Sequence, residues 1–208
     1  MKVICLVLVM VCPAVMPAQR VATEDSDALA VSGKLSYHFA KAYSPFSLLE
    51  DGLQAAVLQR GDNPKEWHEG WYGLWRRAAS TTGYDTIRNS FMFGMNAVSR
   101  EDPRYFRSGE GQTAGRAAYA IGQTFVSHTD GGKKSLPWVR LAATYGVAFL
   151  ANSWYPDRLS DTRHAMLRGT VTLGSDAGNN LFDEFWPDIK KKLFGRKNQP
   201  AGVVVKTP

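Results

Sequence analysis

Thiol chemistry has almost nothing to work with in this chain. Its two cysteines, Cys5 and Cys12, lie within the first twelve of 208 residues. If that segment is removed on export, no thiol remains for a disulfide, a zinc site or a nucleophile. Histidine is also sparse. His38, His68, His128 and His164 stand singly, without the paired spacing of a zinc helix. The sequence therefore offers no metal site and names no cofactor. Nucleophile elbow, phosphate loop and dinucleotide fingerprint are all missing. Ser108-Gly109-Glu110-Gly111 is glycine-rich but has no lysine in a phosphate-loop register, so it reads as a turn. Sustained apolar–polar alternation is absent too, which predicts little or no sheet beyond a short pair at the termini.

Long hydrophobic runs are missing as well. The apolar run at residues 3–11 is nine residues, too short for the ~30 Å of a bilayer core. With Lys2 before it and Ala14, Pro17 and Ala18 after it, residues 1–18 read as a secretory signal peptide. Cleavage after Ala18 starts the mature chain at Gln19, and cleavage after Ala14 starts it at Val15. Val11 before Cys12 does not suit lipidation. The expected location is the periplasm or the outer membrane. Losing residues 1–18 removes one base and no acid, leaving 24 Lys and Arg against 19 Asp and Glu, a formal +5. That mild, scattered charge suits anionic surfaces and makes no case for nucleic acid.

Residues 19–43 read as a flexible lead, 44–194 as one helical domain and 195–208 as a flexible basic tail. Ser44-Pro45 resembles an N-cap with proline in the first turn, followed by Phe46, Leu49, Leu53, Val57 and Leu58, and Gly61 ends that helix. Pro64 stands at a second start, before Trp67, Trp71, Leu74, Trp75, Ala78 and Ala79. Further helices are predicted at 84–98, 112–126, 136–153 and 162–194. The fold class is thus all-α, with five helices, or six if Gly83 breaks the second.

Small residues recur four apart: Gly111 and Gly115, Ala118 and Gly122, Ala142 and Gly146, Gly174 and Gly178. Glycine costs a helix interior about 1 kcal/mol against alanine, so such faces suggest close packing, in a soluble bundle or against a membrane. Arg88, Arg116, Arg140 and Arg168 weigh against simple spans. Aromatic residues gather at helix ends, and Lys190, Lys191 and Lys192 follow Trp186, a pattern suited to core caps or to a membrane interface. Two loops, at 101–105 and 154–158, look alike at a shift of 54 residues, through duplication or chance.

Chemistry has few candidates. Glu66 and Glu69 flank Trp67-His68 near a helix start, where acids favour the helix dipole but could also pair as acid and base. Asp176, Asn180 and Asp183 or Glu184 share one helical face beside glycines. Arg104, Arg107 and Arg158 are their expected partners, in a buried salt-bridge network or a binding site.

At Glu101-Asp102-Pro103-Arg104-Tyr105-Phe106-Arg107-Ser108-Gly109, Asn152-Ser153-Trp154-Tyr155-Pro156-Asp157 and Phe182-Asp183-Glu184-Phe185-Trp186-Pro187-Asp188-Ile189, the chain resembles a group of exported bacterial proteins. The resemblance covers residues 44–194. It implies a shared fold and an envelope setting, and brings no activity, cofactor or site. Two expectations follow. The first is a noncatalytic envelope protein packed against a membrane surface or another envelope protein. The second is an envelope hydrolase, or a binder of acidic glycans, using Glu66, Glu69, Asp176 and Asp183. Oligomeric state is left open.

Overall fold

The computed structural model describes residues 21–22, 27–109 and 111–194. The segments read from the sequence as a signal peptide, 1–18, and a basic tail, 195–208, lie outside the described residues. A two-residue strand, β1 (Val21–Ala22), precedes α1 (Val31–Tyr43) and α2 (Pro45–Arg60). Then come α3 (Gly70–Ser99), β2 (Glu101–Asp102), β3 (Tyr105–Phe106), α4 (Thr113–Gly122), β4 (Ser127–Thr129), β5 (Lys134–Ser135), α5 (Trp138–Leu150) and α6 (Thr162–Phe194). The fold is mostly all-α, as the sequence predicts.

Local signals explain the best-anticipated boundaries. Ser44 Oγ accepts the Ser47 N–H at 3.1 Å and Pro45 opens α2, while Gly61 follows its last residue. Asp161 caps α6 by accepting the His164 N–H at 2.7 Å. Gly83 breaks nothing, and α3 runs straight through it.

Three expectations are corrected. Residues 31–43 of the supposed lead form α1, which buries Lys34, Tyr37, His38 and Ala42 against the bundle. Pro64 opens only a 3-10 turn, Lys65–Trp67, and α3 begins at Gly70. The cause is Arg77, fully buried, which donates to the carbonyls of Asn63, Pro64 and His68 and holds that loop against α3. Gly73 permits the approach, since a Cβ there would stand 2.1 Å from the His68 carbonyl oxygen. The similar loops also fold differently. The first forms β2 and β3, whereas the second ends in a 3-10 turn, Asp157–Leu159.

The strands are small. β1 pairs parallel with β3, and β4 lies between β2 and β5 in an antiparallel sheet. Gly132, at φ +76°, supplies the turn between β4 and β5.

α3 is the spine. α1 and α2 run antiparallel along it, with His38 at Asn89 and Thr81 at the Asp51 carbonyl. α5 descends beside it, Arg88 meeting Thr144 and Trp154 meeting Ser80. α6 runs parallel to it, Thr172 meeting Tyr84 and Asp176 meeting Arg88. The start of α3 thus marks the lower end of the bundle, and the sheet of β2, β4 and β5 its upper end.

Candidate functional site

Polar side chains fill much of the interior. At mid-height Arg88 of α3, 4 % exposed, donates to both oxygens of Asp176 on α6 at 3.2 and 2.5 Å, and through Nε to Thr144 of α5 at 3.0 Å. Three helices are tied by one guanidinium. Nearer the top His38 lies 3.2 Å from Asn89 and 3.1 Å from Asn96, and Lys34 reaches the Asn96 carbonyl and Asp130. Such groups persist in a bundle interior when their partners are fixed.

Glu184 is the hub of the upper end. Its fully buried carboxylate accepts from the Tyr105 hydroxyl at 2.9 Å, the Ser108 N–H at 3.2 Å, the Ser108 hydroxyl at 2.6 Å and Arg116 at 2.8 Å. Burial alone would raise its pKa. The donors from Ser108, Arg116 and Tyr105 outweigh burial and hold it down to about 2. Tyr105 is pushed up, by burial first and then by donating to Glu184. Arg116 also bonds the exposed Asp188 at 2.6 Å.

The predicted site residues do not all converge. Glu66 is exposed at the lower end, where the Arg158 hydrogen bond lowers its pKa, and that contact is 2.8 Å. Glu69 is exposed at the N-cap of α3, with no side-chain cap bond. Asp176, Asn180 and Asp183 do share a face, and they line a cavity of about 40 Å³ with Lys41 and Arg140, room for about three waters. The partners expected for that stripe are corrected. Arg104 binds Asp102 at 2.7 Å and the Asp27 carbonyl, Arg107 binds the Glu184 carbonyl at 3.0 Å, and Arg158 binds Glu66. Arg88 takes Asp176 instead. Asn180 donates to the Ala120 carbonyl and to Thr124. An open cleft of about 410 Å³ at Glu66, Trp67, Tyr155 and Arg158 holds Glu66 and none of the other three candidate acids. Among the described residues, no three His, Cys, Asp or Glu side chains gather as metal ligands.

The four arginines that weighed against a membrane setting all turn inward. Arg88 and Arg116 pair as above. Arg140 donates to the Gln123 and Thr124 carbonyls just past the end of α4, and Arg168 to the Ala148 carbonyl and Asn152 at the end of α5. Helix C-terminal carbonyls favour such cations.

The outside is the reverse of the inside. Trp71, Trp75 and Trp138 are 73, 64 and 65 % exposed. On α1 the outward residues include Val31, Leu35, Phe39 and Tyr43; on α3 above Arg76 they are Ala79, Ile87, Ser90, Phe91, Gly94, Met95, Val98 and Ser99. On α5 they are Trp138, Ala142, Gly146, Phe149 and Leu150, and on α6 from Met166 to Gly178 they are Met166, Leu167, Thr170, Val171, Gly174, Ser175 and Gly178. None is charged. The small residues at four-residue spacing belong to this outer surface. A Cβ added at Gly115, Gly122, Gly146, Gly174 or Gly178 would meet no atom within 4 Å. Among the described residues nothing packs on those faces, whereas close approach occurs at Gly73 and at Gly169, beneath the Tyr145 ring. Among the described residues no helix is long and apolar enough to cross a membrane. Comparison with protein families, curated proteins and solved structures finds no match for the chain.

Proposed function

We propose that this is a noncatalytic protein of the cell envelope that associates with a membrane or an apolar partner through the outer faces of its helices. One observation carries the reading: charged side chains are turned in and paired while large apolar side chains are turned out. Soluble monomers rarely expose apolar patches beyond a few hundred Å². The apolar segment at residues 3–11 with its small-residue exit supports export. A hydrolase needs a carboxylate aimed at substrate in a cleft. Both oxygens of Asp176 are taken by Arg88, Glu66 is held by Arg158 at the far end of the bundle, and Asp183, though it lines the same small cavity as Asp176, is not joined there by Glu66 or Glu69, which weighs against the enzymatic reading.

Fractionation of expressing cells tests this reading. The protein is expected in the envelope fraction at low salt, with an intact mass starting at Gln19 or Val15. Full recovery in the soluble fraction at low salt, as a monomer, refutes it.

A further inference from the structure

We infer that the outer surface is a lipid-facing belt: hydrocarbon covers the whole circumference of the bundle, with the long axis of α3 along the membrane normal. The inference rests on the association proposed above and names the occupant of those faces. Three features of the structure carry it.

The first is the distribution of charge. Exposed charges collect at the two ends: Arg60, Lys65, Glu66 and Arg76 with Arg158 and Arg163 below, and Arg100, Lys133 and Lys134 with Asp188 and Lys190 above. Between them the outward positions of α1, α3, α5 and α6 carry none, and Glu50 on α2 is the single exposed charge among the described residues there. A protein partner covers one patch of about 800 Å². An uncharged surface on four helices facing different sides calls for a solvent, and the apolar solvent of the envelope is lipid.

The second is height. Arg76 to Arg100 is 24 residues, a rise of roughly 36 Å, and Trp75 to Met95 roughly 30 Å. A bilayer's hydrocarbon core is about 30 Å thick. Trp71 and Trp75 sit at the lower edge of the belt. Trp138, the residue just above Val139 in its cluster with Met92, sits near the upper edge, and tryptophan favours both interfaces.

The third is backbone satisfaction. Lipid tolerates no unpaired backbone polar group. At the break between α1 and α2, which falls at mid-height, the Ser44 N–H donates to the Ala40 carbonyl at 3.0 Å and Ser44 Oγ caps α2. The strands and the 3-10 turns Lys65–Trp67 and Asp157–Leu159 lie at the ends, while the turn Gln123–Phe125, beside Asn180, falls inside the belt with its Gln123 and Thr124 carbonyls taken by Arg140. Each helix averages an apolar outer face with a charged inner one, so none reads as a span alone. Immersion is a property of the assembled bundle, which pairs the inward charges first.

The test uses the full chain in phosphatidylcholine–phosphatidylglycerol vesicles, with Cys5 and Cys12 changed to serine and single nitroxide labels introduced. Phe91→Cys, Gly146→Cys and Val171→Cys sample the belt on three helices, and Lys133→Cys and Arg163→Cys sample the ends. All three belt labels are expected to be open to oxygen and shielded from a water-soluble nickel chelate, with both ends open to the chelate. Circular dichroism of each variant confirms its helix content. A belt label open to the chelate while the protein still floats with vesicles overturns the inference and leaves peripheral association standing. Belt labels that couple to one another across two chains assign the surface to a second copy, which also overturns it. Failure to float with vesicles, with all labels open to the chelate, sinks both this inference and a membrane-associated function. Should a variant misfold, resistance of the unaltered chain to carbonate extraction supports immersion, and release by carbonate contradicts it.

Discussion

Removing the Asp176 carboxylate breaks the interior charge pair that ties α3 to α6. Arg88 is 4 % exposed and directs two guanidinium nitrogens at Asp176 and the third at Thr144. Asp176→Ala leaves the cation buried with one neutral acceptor, a loss of about 3 to 5 kcal/mol for a broken buried pair. For a domain of this size 1 kcal/mol shifts Tm by about 2 to 4 °C, so the variant should melt at least ~6 °C lower. Asp183→Ala, on the same face but half-buried and outside the Arg88 contact, should shift Tm by less. The double change Arg88→Met with Asp176→Leu should recover most of the loss, because replacing both partners removes the unpaired charge. Thermal melts by circular dichroism read all four proteins. Unchanged melting of Asp176→Ala, or a double variant no better than the single, would refute the assignment of this pair as structural.

Glu184 contributes to acid sensitivity. Its folded pKa of about 2 lies below the ordinary 4.5, so its contribution, about 3 kcal/mol at most, is complete above pH 4.5 and is lost as pH falls toward 2. Glu184→Gln should therefore melt lower than the parent at pH 7, and the gap should close between about pH 5 and pH 2; a constant gap counts against the hub. Gly73→Ala should destabilise strongly, since its Cβ would meet the His68 carbonyl oxygen at 2.1 Å. Gly146→Ala, with open space around it, should be neutral or raise stability by up to about 1 kcal/mol through helix propensity. Equal effects at the two glycines in chemical denaturation would contradict the packing described.

Much of the helical layout is legible because its signals are local. Ser44 and Pro45 start α2, Gly61 stops it, and 162–194 is bounded as predicted. α1 escaped because Val31, Leu35, Phe39 and Tyr43 form a narrow stripe among serines and lysines, and that stripe faces out. Apolar periodicity identifies a helix, yet it does not say whether the face meets a core or a lipid. The same limit hid the inward turn of Arg77, Arg140 and Arg168, most of whose partners are main-chain carbonyls that leave no mark in sequence. Arg88 was missed as the partner of Asp176 because nothing local links residues 88 positions apart, while Arg104 and Arg158 stood in conspicuous motifs. Glu184 was visible on the acidic face, but its donors come from β3, the loop after it and α4, a convergence that only the fold supplies.

The central claim is that polar groups lie inside and lipid outside, and the exposed tryptophans report on it without mutation. Brominated phosphatidylcholines quench tryptophan fluorescence by contact, and Trp71, Trp75 and Trp138 stand at the two edges of the belt. Quenching is predicted to be strong with bromine near the headgroup end of the acyl chain and weaker with bromine near the terminal methyl. Fluorescence in vesicles unaffected by bromine at either depth would contradict the account.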